Sequence, residues 1–173
     1  MNAPTLNRRI LIVDDNPSIH DDFRRILQPE NVGCDLDADA AAFFGTPALA
    51  TATVSFELES ALQGREACEK VVTACAAARP YAFAFVDMRM PPGWDGLTTI
   101  GKLWEIDPAL QVVICTAHSD QSWEEIETAL PTRDRWLVLK KPFDKIEVLQ
   151  FAHVLTAKWT LARCAATGAA SAA

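Results

Sequence analysis

The sequence lacks the features that define two common classes of small protein. It contains no CxxC pair, its five cysteines are odd in number, and only three histidines are present. An odd set of scattered cysteines does not predict a disulfide framework, and too few paired cysteine and histidine ligands are available for a structural zinc site. We therefore expect reduced thiols, as in a cytoplasmic protein.

Long apolar runs and clusters of positive charge are also missing. No apolar run approaches the roughly 18 residues of a membrane-spanning helix, and the first residues of the chain are too polar for the core of a signal peptide. The formal net charge is −7, and arginines and lysines occur only in short, scattered groups. Because a negative surface repels phosphate backbones, we expect no direct contact with nucleic acid, and we expect no membrane association.

Strand-like and helix-like segments alternate along the chain. Short runs of β-branched and aromatic residues predict five strands, at residues 10–13, 53–58, 81–86, 111–115 and 136–140. Apolar residues at helical spacing follow each strand, and Asn16, Asp95 and Ser119 are placed to cap the first, third and fourth helices. The last helix is predicted from about residue 144 to about residue 166. This alternation predicts an α/β fold with a doubly wound, five-stranded parallel sheet in the order 2-1-3-4-5.

One connection, between the first helix and the second strand, is longer than this fold needs. Residues 29–52 stand where about two to six residues are usual, so we interpret them as an insertion with a short helix at residues 37–44. A packed surface loop explains the insertion more simply than a partner-binding element does. We divide the chain into one domain over residues 7–158, which contains the insertion, and a helical extension with a tail over residues 159–173.

Polar residues follow four of the five predicted strands. Asp14 and Asp15 follow the first strand, Asp87 the third, Thr116 the fourth and Lys141 the fifth. Because ligands bind beyond the carboxyl ends of parallel strands, where the strand order reverses, we expect these side chains to share one crevice. Three carboxylates repel one another, and one lysine neutralises only part of their charge, so the site suits a hard cation such as Mg²⁺. An aspartate beside such a cation can act as the nucleophile in phosphoryl transfer.

Four segments carry a resemblance to a known family. The segments LIVDDN, FVDMRMPPGWDG, VVICTAHS and LKKPF, in this order, resemble the receiver domains of two-component response regulators, of the kind found at the amino terminus of larger sensor or output proteins. The resemblance covers residue 9 to about residue 155. It implies a flavodoxin-like receiver fold and a phosphoryl group accepted on Asp87 from a histidine kinase or a phosphotransfer protein.

The resemblance also implies a role for each polar residue of the expected site. Mg²⁺ would be bound by Asp15, by Asp87 and by the backbone carbonyl of Arg89, with Asp14 acting through water. Thr116 would bind a phosphoryl oxygen.

Lys141 would pair with the phosphate and would precede Pro142 through a cis peptide bond. Lys140 competes for this role, and we favour Lys141 because it directly precedes the proline, as in the family. Such a protein is not an enzyme with turnover of a free substrate. It switches conformation and signals to a partner or an output domain.

The sequence departs from the family pattern in the loop after Asp87 and in the last strand. The loop is one residue longer than usual, so we expect it to bulge. The position that often holds a switching tyrosine or phenylalanine is Val138, and Trp136 is shifted from it by two residues. Past about Leu155, we expect the last helix to have no receiver core left to cover. Its apolar residues there are candidates for a homodimer contact or for a continuation into an output domain.

Two other functions remain open. A magnesium-dependent phosphohydrolase would carry a second acid two residues after Asp87, where Arg89 stands, and would need a cap over its substrate. An interaction module that is never phosphorylated would not need all five polar residues. Of the histidines, His20 and His153 are expected at the surface or its boundary, whereas His118 follows the fourth strand at the mouth of the expected site.

Overall fold

The described part of the chain contains five strands and five helices that alternate, as the sequence predicts. The computed structural model describes residues 6–29, 55–117, 123–130 and 132–170. The strands are β1 (Arg9–Val13), β2 (Glu57–Ala61), β3 (Phe83–Asp87), β4 (Gln111–Thr116) and β5 (Trp136–Lys140). The helices are α1 (Pro17–Leu27), α2 (Gly64–Ala76), α3 (Gly96–Ile106), α4 (Trp123–Ala129) and α5 (Lys145–Ala170).

The five strands form one parallel sheet in the order β2-β1-β3-β4-β5, which confirms the predicted topology. In the pairing register, Val13 of β1 lies opposite Val86 of β3, and Asp87 lies opposite Cys115 of β4. The carboxyl ends of the three central strands therefore lie side by side. This is the edge at which the sequence places its polar residues.

The central strands are apolar along their whole length because helices cover both faces of the sheet. All residues of β3 and β4 are buried. One face packs against α2, α3 and α4 through residues such as Leu11, Val86 and Ile114. The other packs against α1 and α5 through residues such as Ile12, Phe85 and Val113.

Strand β2 lies further along the chain than predicted. We expected it at residues 53–58, whereas it spans Glu57–Ala61 and pairs with β1 from Arg9–Glu57 to Val13–Ala61. The prediction followed the β-branched and aromatic residues, but pairing with β1 decides the position of an edge strand. Its acidic residues are held by partners, since Arg9 forms ion pairs with Glu57 and Glu59.

The predicted helix starts are confirmed where the structure describes them. The Asn16 side chain accepts a hydrogen bond from the Ser18 backbone N–H at 3.0 Å and caps α1. The Asp95 side chain accepts one from the Thr98 backbone N–H at 2.8 Å and caps α3. The predicted cap at Ser119 lies outside the described residues, as do His118, the short helix at 37–44 and all of the insertion except Pro29.

Helix α5 covers the core further than expected. We expected no core contact past about Leu155, and this is wrong, because Thr156, Trp159 and Thr160 are buried. The reason is a contact with the start of the chain: the Asn7 backbone N–H donates to Thr160 Oγ1 at 3.1 Å. The helix therefore still packs at the amino ends of the strands, while the domain boundary at residue 158 stays a prediction. Among the described helices, none combines the length and the apolar character needed to cross a membrane.

Candidate phosphoacceptor site

Three carboxylates meet where β1 and β3 end. Asp14, Asp15 and Asp87 each offer a carboxylate oxygen, and these oxygens lie within 4.8 Å of one another. Asp14 is 2% exposed and Asp87 is 7% exposed, whereas Asp15 is half-buried. The cluster therefore combines two acids in a dry environment with one acid that water reaches.

Every polar atom of Asp14 has a partner. Its backbone N–H donates to the Ala61 carbonyl at 3.1 Å, and its Oδ1 accepts from the Asn16 backbone N–H at 2.9 Å. Its Oδ2 accepts from Lys141 Nζ, and its backbone carbonyl accepts from His20. Asp14 is held in one orientation by four residues, which come from the end of β2, the start of α1 and the turn after β5.

Lys141 bridges the two buried acids. Its Nζ lies 2.7 Å from Asp14 Oδ2 and 2.6 Å from Asp87 Oδ1. Its backbone N–H donates to the Thr116 carbonyl at 2.8 Å, and the Lys141–Pro142 peptide is cis, as expected. Lys140 is exposed on β5. Of the two candidate lysines, Lys141 is therefore the one that reaches the acids.

The backbone after Asp87 folds closely around this residue. The Arg89 backbone N–H donates to Asp87 Oδ2 at 2.9 Å, and the Gly96 backbone N–H donates to the Met88 carbonyl at 3.1 Å. A Cβ at position 96 would lie 2.6 Å from the Asp87 carbonyl oxygen, so this approach requires glycine.

The longer loop between β3 and α3 packs onto the start of α2. The Gly93 backbone N–H donates to the Met90 carbonyl at 3.0 Å and closes a turn, and Gln63 Nε2 donates to the Pro91 carbonyl at 3.3 Å. The Arg65 guanidinium lies 5.3 Å from the centre of the Trp94 ring. The extra residue is therefore accommodated away from Asp87.

The pKa values of Asp87 and Lys141 are both raised. Burial raises the pKa of Asp87, and the charge of Asp14 adds to this effect, while the contacts with Lys141 and the Arg89 backbone N–H oppose it. Burial alone would lower the pKa of Lys141, but its hydrogen bonds and charge pairing with Asp14 and Asp87 outweigh that effect. One ammonium thus does not balance the acids, and the cluster has an excess of negative charge.

The donor set fits a hard divalent cation. All three side chains offer carboxylate oxygens, and Asp15 is open to water. Mg²⁺ is bound in proteins by one or two carboxylates and keeps several waters. A divalent cation would also compensate the excess negative charge of the cluster, whose Asp14 carboxylate adds to the effect of burial on the pKa of Asp87.

The hydroxyl of Thr116 lies at the end of β4, beside this cluster in the sheet. Thr116 is 8% exposed, and its Oγ1 donates to the Ala117 carbonyl at 3.0 Å. Its neighbour Cys115 lies opposite Asp87 in the register of β3 and β4. The structure therefore brings Asp14, Asp15, Asp87, Thr116 and Lys141 to one edge of the sheet, as the sequence predicts.

Comparisons with known proteins agree on the architecture. Neither a family model nor a curated protein matches the chain. Among solved structures, the signal receiver domain of an HD domain-containing protein from Pseudomonas fluorescens Pf-5 superposes with a TM-score of 0.64 at 15% identity, over 94% of this chain and 96% of that one. A CheY-like response regulator receiver domain protein from Methanospirillum hungatei JF-1 gives 0.61 at 20% identity, over 90% and 97% of the two chains. The chain has the receiver fold.

The same fold also occurs in a solved structure that is not named as a receiver domain. An adenylate cyclase structure from Rhodopirellula baltica superposes with a TM-score of 0.66 at 22% identity, over 94% of this chain and 96% of that one. NtrX from Brucella abortus matches 91% of this chain but only 29% of its own length, at a TM-score of 0.63 and 21% identity. Receiver folds of this shape thus occur both as nearly whole chains and as parts of longer ones.

One residue next to the site in this receiver fold differs from the sequence-based expectation. We expected His20 at the surface or its boundary, but it is 2% exposed, and its Nε2 lies 2.7 Å from the Asp14 carbonyl oxygen. The spacing of His20, Phe23 and Leu27 places all three on the buried face of α1, and this spacing is a signal that could have revealed it.

Trp136 of β5 forms an aromatic pair with Trp123, the first residue of α4. Trp136 is 5% exposed, and its Nε1 donates to the Leu130 carbonyl at 3.2 Å. Trp123 is 54% exposed, and its ring lies 5.2 Å from that of Trp136. Val138, which stands where the resemblance would place an aromatic residue, is half-buried.

Proposed function

We propose that this protein is a phosphorelay receiver that accepts a phosphoryl group on Asp87. The observation that carries the proposal is the placement of the Asp87 carboxylate, which lies beside two other acids and accepts a hydrogen bond from Lys141. The receiver fold of the solved structures supports it. The donor would be a phosphohistidine on a histidine kinase or a phosphotransfer protein.

In the transfer, a carboxylate oxygen of Asp87 attacks the phosphorus atom. An oxygen–phosphorus bond forms and the nitrogen–phosphorus bond of the donor breaks. The electron pair of that bond stays on the imidazole nitrogen. A ring whose other nitrogen carries a proton leaves as neutral imidazole, and a ring without that proton takes one up from water. Such a transfer depends mainly on in-line positioning and on stabilisation of the charge on the phosphoryl oxygens. The Lys141 ammonium and the Thr116 hydroxyl are the groups of this chain that would provide this stabilisation.

Mg²⁺ would be held by Asp15, Asp87 and the backbone carbonyl of Arg89, with Asp14 acting through water. When bound, the ion supplies positive charge that offsets the repulsion between the carboxylates and the incoming phosphoryl group. The burial of Asp14 and Asp87 strengthens each of these interactions because water screens them little. The Arg89 backbone N–H donates to the Asp87 carboxylate, so the carbonyl of Arg89 and this carboxylate belong to one turn.

Phosphorylation would then shift the domain between two conformations and change its affinity for a partner or an output domain. A homodimer through α5 is part of this proposal, because Val154 and Leu161 are 59% and 65% exposed and lie two helical turns apart. We further propose that the chain acts in the cytoplasm, a compartment that suits the reduced thiols of Cys68, Cys75 and Cys115.

The phosphoacceptor is tested by incubating the protein with phosphoramidate or acetyl phosphate and Mg²⁺ and then measuring the intact mass. We expect one added phosphoryl group in the wild-type protein and in Asp22→Asn, which changes an exposed acid on α1. We expect none in Asp87→Asn or after chelation of Mg²⁺. Steady release of phosphate from an ester would favour a phosphohydrolase, and no adduct with any donor would favour an interaction module.

The dimer is tested by sedimentation velocity of the phosphorylated and unphosphorylated protein. We expect a dimer to form on phosphorylation and to be lost in the double variant Val154→Lys, Leu161→Lys. A monomer in both states at concentrations near 100 µM would argue against a contact through α5.

A further inference from the structure

His20 is a buried histidine whose two ring nitrogens have different surroundings. Its Nε2 lies 2.7 Å from the backbone carbonyl oxygen of Asp14. A carbonyl oxygen only accepts hydrogen bonds, so Nε2 carries the proton in this contact. Its Nδ1 is buried and has no partner among the described residues. Among the described residues, the contact with the Asp14 carbonyl is therefore the one hydrogen bond of this buried ring.

The hydrogen bond of His20 lies on the backbone that carries two of the three acids. The carbonyl of Asp14 belongs to the peptide unit that joins Asp14 to Asp15. The orientation of this unit decides the directions in which the two neighbouring side chains leave the backbone. Their carboxylate oxygens lie within 4.8 Å of each other and of Asp87. A donor that fixes this carbonyl therefore fixes the directions of two of the three acidic side chains, Asp14 and Asp15.

The helix that carries His20 is tightly packed against the other parts of the site. Phe23, on the same face of α1, packs against Phe85 of β3 with ring centres 4.3 Å apart. It also stacks on Phe143, two residues after Lys141, at 4.8 Å. The same face of α1 thus contacts the strand that ends at Asp87 and the turn that follows Lys141. His20 projects from an element that is fixed relative to both.

We propose that His20 is a positioning residue that fixes the peptide between Asp14 and Asp15 and thereby sets the affinity of the acid cluster for Mg²⁺. The identity of the cation rests on the proposed function. His20 does not touch the cation or the phosphoryl group in this scheme. It acts as an outer partner that orients groups binding the metal, and loss of such partners typically weakens metal binding about 10- to 100-fold.

Three substitutions separate the hydrogen bond from the volume of the side chain. His20→Gln keeps an N–H donor at the same number of bonds from Cα as Nε2. His20→Asn places its donor at the level of Nδ1, too short to reach the carbonyl. His20→Leu keeps the bulk and removes the donor. For each variant, calorimetric titration gives the dissociation constant for Mg²⁺, and urea unfolding without Mg²⁺ gives the stability.

We expect Mg²⁺ binding to be about tenfold weaker in His20→Leu and His20→Asn, with affinity largely restored in His20→Gln. Wild-type affinity in His20→Leu would overturn the proposal. Equal losses of affinity in all three variants, in step with equal losses of stability, would also overturn it, because they would indicate packing alone.

The same experiment separates this proposal from the proposed function. A wild-type protein that binds Mg²⁺ but gains no phosphoryl group from phosphoramidate would overturn the phosphoacceptor function, and the graded Mg²⁺ affinities would still support the role of His20. A wild-type protein that binds no Mg²⁺ would overturn both proposals.

Discussion

At the scale of single residues, Lys141 pairs with two buried acids, and its loss has a direct consequence for stability. Breaking a buried ion pair by removing one partner costs about 3–5 kcal/mol. The Lys141 side chain is 22% exposed, so screening by water reduces this cost, and we expect Lys141→Met to lower the free energy of unfolding by about 1–3 kcal/mol. Urea unfolding in the presence of a chelator measures it. The matched control is Lys140→Met, which changes an exposed lysine and should cost less than about 0.5 kcal/mol.

The same substitution has an effect of opposite sign on the affinity for Mg²⁺. Without the ammonium, the repulsion among the carboxylates is relieved only by a cation or by protonation. Lys141→Met should therefore bind Mg²⁺ more tightly than the wild-type protein at neutral pH. A variant that is as stable as the wild type, or that binds Mg²⁺ more weakly, would contradict the assignment of Lys141 as the cation that neutralises part of the charge of the cluster.

The raised pKa of Asp87 predicts a pH dependence of stability. An unfolded aspartate titrates near the ordinary value of 3.8, whereas the folded one titrates above it. Between these two values the folded protein holds more protons than the unfolded chain, so the free energy of unfolding falls as the pH rises. Asp87→Asn has no carboxylate at this position, so it avoids this loss of stability and should be more stable than the wild type at pH 7.

Urea unfolding at a series of pH values measures this difference. The advantage of Asp87→Asn should shrink as the pH falls toward 3.8. Asp22→Asn on the exposed face of α1 is the control and should track the wild type at every pH. A gap between Asp87→Asn and the wild type that does not vary with pH would show that Asp87 is not destabilised by its charge.

The sequence predicted that three carboxylates, a threonine and a lysine would lie together because each stands at or next to the end of a strand, whereas the choice of Lys141 over Lys140 came from the resemblance to the receiver family. There, the local sequence decides which side chain faces the crevice. The contact of His20 with the site was not predicted, because its partner is the backbone carbonyl of Asp14. Every residue has such a carbonyl, so the sequence does not indicate which one is an acceptor. The helical spacing from His20 to Phe23 and Leu27 indicates burial but not the contact.

At the scale of elements, the central strands and the edge strand β5 were predicted from sequence, whereas the position of β2 and the packing of the end of α5 were not. Strands β3 and β4 are buried on both faces, so their apolar runs are unambiguous. Strand β2 and the end of α5 depend on contacts with distant parts of the chain: β2 on pairing with β1, and α5 on the contact between Asn7 and Thr160. Local sequence patterns do not indicate contacts between residues that lie far apart in the sequence.

The end of α5 therefore provides a test of where the core stops. Trp159 is 9% exposed, and truncation of a buried tryptophan costs about 3–5 kcal/mol, so we expect Trp159→Ala to destabilise the protein by about 3 kcal/mol in urea unfolding. Its Nε1 has no partner among the described residues, so Trp159→Phe should cost less than about 1.5 kcal/mol.

The matched control lies two residues away on the same helix. Leu161 is 65% exposed, and Leu161→Ala should change the free energy of unfolding by less than about 0.5 kcal/mol. If Trp159→Ala were as mild as Leu161→Ala, the residues past 158 would be an appendage, as the sequence-based domain boundary has it.

At the scale of the whole molecule, the fold of a negatively charged chain brings three acids together at one end of the sheet. The formal net charge is −7, and the three acids of the cluster lie at the ends of β1 and β3. The receiver fold brings these acids together because the order β2-β1-β3-β4-β5 makes β1 and β3 neighbours. Folding thus works against the repulsion of this cluster, and a cation that binds only the folded state relieves it.

Binding of this kind links the concentration of Mg²⁺ to global stability. If Mg²⁺ binds only the folded protein, the free energy of unfolding rises by about 1.4 kcal/mol for each tenfold increase in Mg²⁺ above the dissociation constant. Urea unfolding at constant ionic strength should show this slope in the wild type. The Asp15→Asn variant should need a higher concentration to reach it, whereas Glu105→Gln, which removes a surface partner of Lys102, should behave as the wild type. An equal rise with Na⁺ alone, or an unchanged response in Asp15→Asn, would mean that the ion screens the whole surface and does not bind this cluster.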